Sequence, residues 1–488
     1  MPSTPRPAER PDPTVAREAT GPGGPIADPL VPPLDAVALD AVGGAALGAV
    51  GAVGAVGAVG GAVPLAVELA AGSLWRNRDF LKLWTGETVS EFGSQVTQFA
   101  MPLAAALTLH ATPVQMGVLS ALQMLPFLLI SLPAGVWVDR IRRRPILIAG
   151  DLVRAVTLLG VPLAGITGHL SMPLLYAVSL VTGAATVFFD VSYQSYMPVL
   201  VERDHLIEGN SKMELSGSAA QFGGPGIGGV LVGLFGAAEA ILVDALSFFF
   251  SAAMLLLVRK AEPAPAPAHA RRHMIEEMRE GLGVILGNRV LRSIAATTAT
   301  SNLFGSISFA TLILFATREL RLDAIRIGLA FALANLGAMA GAVVAGRMST
   351  RIGLGNTLMV AIFAGSLANL LVPVAVPSTA MALLFASMFF GTAGSTVYNI
   401  NQVSLRQSIT PDRLQGRMNA SMRFIVWGVF PIGSLIGGVL GAVIGIRAAI
   451  AAGAVGGLLA VLWLVFSPVR TMRTPPPPWD GEAERSAA

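Results

Sequence analysis

The sequence contains no cysteine among its 488 residues, and only 13% of them are charged. The missing cysteine excludes disulfides and metal sites built on thiolates. Soluble domains usually carry about 25% charged residues, so this chain has too little polar surface for a set of water-exposed domains. A disordered chain is excluded as well, because disorder needs low hydrophobicity and 53% of these residues are hydrophobic.

The uncharged stretches are long enough to cross a membrane, since about 20 apolar residues span ~30 Å of hydrocarbon. Residues 92–138 and 352–405 carry no Asp, Glu, Lys or Arg. Dividing such runs at their polar or proline-containing breaks predicts an all-α membrane protein with twelve transmembrane helices, because helices satisfy their own backbone in lipid. The twelve segments are 84–109, 114–138, 145–167, 172–199, 212–235, 238–258, 293–317, 324–347, 355–376, 379–405, 416–442 and 446–467.

Basic residues are concentrated on one side of these segments. All but five of the 33 Lys and Arg lie on the side of the two tails. The positive-inside rule therefore predicts a multi-pass protein of the cell inner (plasma) membrane with both termini in the cytoplasm. The five exceptions are Arg154, which lies inside a segment, and Arg318, Arg321, Arg326 and Arg447 on the other side.

The termini and the middle of the chain differ from the spans. Residues 1–72 are rich in Pro, Gly, Ala and Val, which predicts a disordered low-complexity extension; the alternative is a thirteenth span within it. Residues 259–292 predict a cytoplasmic linker with an amphipathic helix. The remaining domains are a six-helix bundle over 73–258, a second over 293–468 and a disordered tail over 469–488.

The two halves of the chain repeat one another. Identical residues recur in order at offsets of 208 to 211, and the polar matches carry more weight than glycines in a chain with 54 Gly. The repeat predicts two pseudo-symmetric six-helix halves, with substrate bound between them near mid-membrane. The polar matches are Arg140 with Arg351, Gln194 with Gln402, Asp204 with Asp412 and Asn210 with Asn419.

A tight basic loop, Gly135-Val-Trp-Val-Asp139-Arg140-Ile-Arg142-Arg143-Arg144, joins the second and third segments. An aspartate at a helix end can accept hydrogen bonds from a neighbouring helix N-terminus, and the arginines can pair with carboxylates on adjacent spans. Such contacts would latch the two halves together on the cytoplasmic side. The alternative is a basic loop that only sets topology. The latch candidates are Gly135, Asp139, Arg140 and Arg143.

Charged residues inside spans are costly and usually functional. Arg154 and Asp190 lie at equal depth on consecutive antiparallel segments, which predicts an ion pair between them, with Asp151 one turn below. Asp244 is a further buried acid in the sixth segment. These four residues are candidates for proton coupling, and the alternative is a static structural pair.

Polar residues form a stripe on the first segment, because Glu87, Glu91, Gln95 and Gln98 share one helical face. A polar stripe is expected to avoid lipid and face a cavity or a neighbouring helix. Glu91 is the best candidate on this stripe for binding a cationic group. The substrate-cavity candidates are Glu91, Gln95, Gln98, Tyr193, Asn302, Asn399 and Trp427.

The loop with Gly135, Asp139 and Arg140 resembles the signature loop of the major facilitator superfamily, although Arg142 stands where the family usually has a second glycine. The segment with Gly224, Pro225, Gly228 and Gly229 is similar to the core of the antiporter motif found in exporters of that superfamily. A plain packing role for these glycines is the alternative.

Three further segments resemble the twelve-span macrolide-efflux and siderophore-export permeases. That resemblance implies the major facilitator fold and a secondary exporter of amphipathic small molecules (drug, antibiotic or siderophore), working by alternating access with proton entry. The segments are Leu74–Phe80, Phe189–Pro198 and Pro411–Asn419.

Enzymatic motifs are missing from the chain. It has neither a phosphate-binding Gly-x-x-x-x-Gly-Lys-Ser/Thr loop nor a His-Glu-x-x-His pair, so no enzyme, cofactor, metal or nucleic-acid partner is expected. The expected partners are membrane lipid, the small-molecule substrate and protons, with the protein a monomer. Two other functions stay open: an uptake permease of the same fold, and a transport-inactive membrane assembly or sensor protein.

Overall fold

The computed structural model describes residues 73–138, 140–262 and 274–476, and these ranges contain helices and no strand. The predicted extension over 1–72, residues 477–488 of the predicted tail and Asp139 lie outside the described residues. The first half has six helices: α1 Arg78–Leu103, α2 Pro113–Val138, α3 Arg143–Ile166, α4 Met172–Leu200, α5 Leu206–Phe235 and α6 Ala237–Leu257.

A linker helix and six further long helices follow. Short helical turns continue two of them, Leu371–Val374 after α10 and Ala460–Val465 after α13. The helices are α7 Met274–Gly287 in the linker, then α8 Arg289–Leu314, α9 Ala324–Ile352, α10 Leu354–Ala368, α11 Ala380–Ile409, α12 Asp412–Val443 and α13 Ile446–Leu458.

Within the described ranges, ten helices are long and apolar enough to cross a membrane. The other two long helices, α1 and α5, have 26 and 30 residues, which exceeds the ~20 that a span needs. Both are more polar, because α1 carries Glu87 and Glu91 and the first turns of α5 carry Glu208, Lys212 and Glu214. The all-α membrane fold is confirmed, and the count of twelve spans stays a prediction at α1 and α5.

The predicted repeat extends to backbone detail. The first helix of each half begins at an asparagine whose Oδ1 accepts two backbone N–H groups. Each of these helices ends in a π-helical turn, and a non-glycine residue with a φ near +50° follows, His110 at 51° and Arg321 at 55°. The matched features are 211 residues apart: the asparagines are Asn77 and Asn288, and the π-helical turns are Ala104–Thr108 and Phe315–Glu319.

The helices of the bundle meet at two opposite ends. The basic end is where α2 meets α3 and α4 meets α5; the far end is where α1 meets α2 and α5 meets α6. At the far end the halves are in close contact, because α2 packs on α12 and α5 packs on α9. The guanidinium of Arg318 also donates to the carbonyl oxygen of Ala111 at 2.7 Å.

Glycines permit these two helix crossings. A Cβ added to Gly117 would lie 2.9 Å from the Cα of Gly438, and one added to Gly328 would lie 2.9 Å from the Cα of Gly229. The two crossings are related by the repeat, since Gly328 follows Gly117 by 211 residues and Gly438 follows Gly229 by 209. At the basic ends of α2 and α9, an added Cβ on Gly135 or Gly346 meets no atom within 4 Å.

Several boundaries differ from the prediction. Helix α1 begins at Arg78 rather than 84 and α5 at Leu206 rather than 212, because the first turns of both helices carry charged residues and escape a search for apolar runs. The predicted disordered tail begins with an ordered turn, Pro468–Thr471. The N–H groups of Leu354 and Gly355 donate to the carbonyls of residues 473 and 472, which supplies acceptors for the otherwise unpaired N-terminus of α10.

Candidate functional site

An acidic chamber lies inside the first half, among α1, α2, α3, α4 and α6. Its empty volume is about 900 Å³. Four carboxylates line it, on Glu87, Glu91, Asp190 and Asp244, together with one basic side chain, Arg154. The arrangement provides a buried, negatively charged space that could hold protons or a cationic group.

The stripe on α1 forms one wall of this chamber. Glu91, Gln95 and Gln98 all line it, as the helical spacing predicts. Gln95 is almost fully buried, at 3% exposure. Gln95 also lies against α5, where Gly224 leaves room for its side chain.

Arg154 is held at three points. Its guanidinium donates to Oδ1 of Asp151 at 2.5 Å, and its Cζ lies 4.1 Å from the ring centroids of both Phe189 and Phe248. The predicted ion pair between Arg154 and Asp190 is wrong, because no such pair within 4 Å exists among the described residues. Asp151 lies three residues earlier on the same helix and reaches the guanidinium without crossing to α4.

Asp244 projects from α6 towards α1. Its Oδ1 accepts a hydrogen bond from Oγ of Ser247 at 3.1 Å, and the residue is 1% exposed. A Cβ on Gly93 would lie 2.7 Å from that same oxygen. The glycine on α1 therefore makes room for a carboxylate from α6, a feature that sequence analysis missed.

A second cavity, the neutral chamber, lies between the halves. Its empty volume is about 980 Å³. Gln95 and Gln221 reach it from the first half, and Phe309, Phe331 and Asn335 from the second. None of the described residues that line it is charged. Gln95 lines both chambers.

The other predicted cavity residues lie outside the set of described residues that line the two chambers. Tyr193 stacks on Phe189 with centroids 6.2 Å apart. The Asn302 amide donates to the Val426 carbonyl at 3.0 Å. Asn399 Oδ1 accepts from the Gln402 amide at 2.8 Å, and Trp427 lies 5.4 Å from the Arg423 guanidinium.

The glycine-rich segment of α5 packs on two neighbours. Gly228 faces α1, where an added Cβ would lie 3.2 Å from the ring of Phe99. On another face, the carbonyl oxygen of Pro225 would lie 2.5 Å from a Cβ on Gly328 of α9, and Gly229 sits at the same crossing. This placement supports the packing interpretation of the motif.

The predicted latch loop is tied to the start of the linker. Glu262 accepts backbone N–H bonds from Arg143 at 2.7 Å and Arg144 at 3.1 Å, so it caps the N-terminus of α3. The arginines were expected to pair with carboxylates on adjacent spans, but the partner of Arg143 follows α6. Arg140 is exposed. The free N–H groups at the start of α3 explain why a carboxylate is drawn there.

The linker is attached to both halves. Near its start, Asp79 of α1 accepts from the backbone N–H groups of Arg259 at 3.1 Å and Lys260 at 2.9 Å. Near its end, α7 packs on α12, and Glu280 forms an ion pair with Arg417 at 2.5 Å.

Two repeated helical halves that enclose buried carboxylates define a helical membrane transporter. A family model described as Major Facilitator Superfamily matches residues 83–430 and 303–487. The chain therefore belongs to the major facilitator superfamily, and the resemblance found in the sequence is confirmed. It is a multi-pass membrane transporter rather than an enzyme.

Curated relatives include exporters. The enterobactin exporter EntS of Citrobacter koseri is 25% identical over 360 residues, covering 71% of this chain and 82% of that protein. Macrolide efflux protein A of Streptococcus pyogenes is 23% identical over 214 residues, 43% of this chain and 52% of that protein. An uncharacterized transporter of Bacillus subtilis, YkuC, is 24% identical over 45% of this chain and 53% of its own length. The chain thus spans about half the length of several relatives it matches.

Solved structures share the fold. A bacterial homologue of the iron transporter ferroportin, in an inward-facing state, has a TM-score of 0.66 at 18% identity and covers 81% of this chain and 99% of its own. The nucleoside transporter NupG has a TM-score of 0.62 at 13% identity, covering 79% and 98%. At these identities the likeness shows the fold alone.

Proposed function

We propose that the chain is a secondary exporter of amphipathic small molecules, such as a drug, antibiotic or siderophore. It works by alternating access in the inner (plasma) membrane and is driven by proton entry. The observation that carries this proposal is the pair of adjoining chambers at mid-depth, one acidic and one neutral, in a bundle whose halves meet at the far end. By the positive-inside rule we assign the basic end to the cytoplasm, and under that assignment the closed far end corresponds to an inward-facing state. Both termini are then expected in the cytoplasm.

Proton coupling is assigned to the acidic chamber. A buried carboxylate whose neighbours change between two conformations binds and releases a proton as the conformation changes. Asp190, Asp244 and Arg154 are the coupling candidates that line the chamber, and Arg154 is paired with Asp151. Export is favoured over uptake by the relatives named as efflux and exporter proteins.

The basic loop is assigned to the latch on the cytoplasmic side. Gly135, Asp139, Arg140 and Arg143 would bring the two halves together there when the far end opens. The open space beside Gly135 and Gly346 supports this assignment, since it leaves room for the halves to approach. Glu262 would join the latch to the linker.

Asp190→Asn tests this proposal in a drug-sensitive host that expresses the full chain. We expect efflux to be lost while the protein still reaches the membrane, because the amide cannot exchange a proton; Asp139→Asn is expected to do the same through the latch. Asp323→Asn is the matched control, since it changes an exposed N-cap at which asparagine serves as well. Full efflux in both chamber and latch variants would overturn these assignments.

An uptake permease is the second candidate, because the neighbouring solved structures include a nucleoside transporter. Inside-out vesicles separate the two directions. An exporter accumulates substrate in them when the lumen is acidified, and an uptake permease does not. A transport-inactive assembly or sensor protein would show no substrate-dependent proton flux with any compound.

A further inference from the structure

The repeat relates part of the lining of the acidic chamber to part of the lining of the neutral chamber. In the first half, Ser94, Thr97, Gln98 and Met101 of α1 line the acidic chamber. Their counterparts 211 residues later in α8 all line the neutral chamber: Gly305, Ser308, Phe309 and Leu312. The same holds on α4 and α11, where Ser179 and Gly183 correspond to Ser387 and Gly391 at an offset of 208.

The two halves differ in charge at positions related by the repeat. The positions that correspond to Glu87, Glu91 and Asp190 in the second half are Thr298, Asn302 and Tyr398. Thr298 Oγ1 and Tyr398 Oη form a hydrogen bond of 2.9 Å. These three positions are neutral in the second half and lie outside the lining of the neutral chamber.

We infer that the two chambers form one two-part site for a lipophilic organic cation, whose charged group lies in the acidic chamber and whose apolar body lies in the neutral chamber. This inference rests on the proposed transport function and names its substrate class. Gln95, which lines both chambers, marks where the two parts of the ligand join.

The charge balance of the acidic chamber selects a cation. Glu87, Glu91, Asp190 and Asp244 line it, and the guanidinium of Arg154 is already paired with Asp151. An anion would meet like charges with no free partner, which is strongly unfavourable in a buried site. Protons can neutralise some of these carboxylates, so protons and a cationic ligand would compete for the same groups.

Unpartnered polar atoms occur among the residues that line the acidic chamber. Buried Oε1 of Gln98 and Oε2 of Glu87 have no hydrogen-bond partner among the described residues. Nε of Arg154 is likewise unpartnered, but that guanidinium is committed to Asp151. Buried acceptors without a donor favour a ligand that brings N–H groups or a positive charge.

A metal ion fits this chamber less well than an organic cation. In the described ranges, no group of three or more His, Asp and Glu is placed to hold a metal. The neutral chamber, moreover, offers a surface for apolar groups: Phe309 and Phe331 meet edge to face with centroids 6.4 Å apart.

The test uses two probes of the same shape and opposite charge, tetraphenylphosphonium and tetraphenylborate, with the purified full chain and equilibrium dialysis. We expect the phosphonium to bind at least about tenfold more tightly than the borate. Glu91→Gln and Asp190→Asn should each weaken phosphonium binding by about tenfold, and acidification should weaken it too. The matched control is Glu202→Gln, an exposed residue at the basic end, which should change nothing.

Phe309→Ala separates the two parts of the site. It should weaken the phosphonium without changing the dependence of its binding on pH, because only the apolar part is altered. Equal affinity for the two probes, preference for the borate, or unchanged binding in both carboxylate variants would overturn the inference. Export of an anionic compound without phosphonium binding would leave the transport proposal standing and this inference wrong. Phosphonium binding without transport of any compound would support this inference and overturn the transport proposal.

Discussion

Arg154 lies inside a span and away from bulk water, where burying a cation costs free energy. Asp151 neutralises it, and the two flanking rings of Phe189 and Phe248 face its guanidinium. Each ring contributes about 0.5–2 kcal/mol through the cation–π interaction. The pair thus places one fixed positive charge beside four carboxylates without adding a free ion to the chamber.

Removing only one partner of this pair should destabilise the protein. Arg154→Met leaves Asp151 buried and unpaired, so we expect the free energy of unfolding to fall by about 3–5 kcal/mol. Combining it with Asp151→Asn should restore much of that loss, because no buried charge remains. Thermal unfolding of the purified protein in detergent measures both. Arg326→Met is the control, since its pair with Asp323 is about 60% exposed and such pairs contribute less than about 1 kcal/mol. Strictly additive losses in the double variant would contradict this account.

At the scale of helices, the far end is closed by two crossings in which backbone meets backbone. Gly117 of α2 touches Gly438 of α12, and Gly328 of α9 touches Gly229 of α5. Small residues allow helices in lipid to approach this closely. Because the repeat relates the two crossings, opening the far end must release both.

Gly328→Val should hold the far end open. Its side chain would overlap Pro225 and Gly229 across the crossing, so the closed packing is lost. The chain has no cysteine, so a single cysteine at Leu312 in the neutral chamber is a unique reporter. We expect a membrane-impermeant thiol reagent, added outside intact cells, to label it several-fold faster in the valine variant.

A glycine of α3 provides the control for this experiment. Gly160→Val changes a position where an added Cβ meets no atom within 4 Å, so labelling should stay at the parental rate. Gly117→Val alters the crossing related by the repeat, so it should raise the labelling rate as Gly328→Val does. Unchanged labelling in both crossing variants would show that these contacts do not close the far end.

For the molecule as a whole, each end of the linker belongs to a different half. Asp79 and Glu262 attach its start to the first half, whereas α7 and the Glu280–Arg417 pair attach its end to the second. The far-end crossings join the halves without help from the linker. Covalent continuity over residues 263–273 is therefore dispensable for assembly.

Two co-expressed fragments, 1–268 and 269–488, should assemble and transport. We expect a tag on the first fragment to recover the second from detergent extracts, because the contacts at both attachments stay intact. Cutting instead after Gly281 splits α7 at its contact with Arg417 and Ser421 of α12, and this pair should copurify poorly. Equal recovery from the two cuts would show that α7 does not matter for assembly.

The sequence predicts the helices, the repeat and one wall of the acidic chamber. Apolar runs and repeat offsets depend only on position along the chain, and a polar stripe on α1 must turn away from lipid. Those inferences therefore needed no knowledge of neighbouring helices. The start of α5 was missed because its amphipathic first turns, with Glu208 and Lys212, do not form an apolar run.

The partner of Arg154 could not be predicted from depth alone, because depth does not fix the rotation of a helix about its axis. The same limit applies to Tyr193, which stacks on Phe189 of its own helix, and to Asn302, which donates to the Val426 carbonyl of α12. The neutral chamber, by contrast, left a signal in the sequence. Carrying Thr97 and Gln98 forward by the repeat offset leads directly to Ser308 and Phe309, which line it.

The two glycine crossings have one more consequence, for how this transporter can change. They bring together main-chain atoms, and Pro225 is the residue at which a crossing also borders the neutral chamber. Under the proposed function, we expect substitutions at chamber residues such as Phe309 or Glu91 to alter which compounds are carried while both crossings keep their fit. The range of compounds and the closure of the far end are then expected to vary separately.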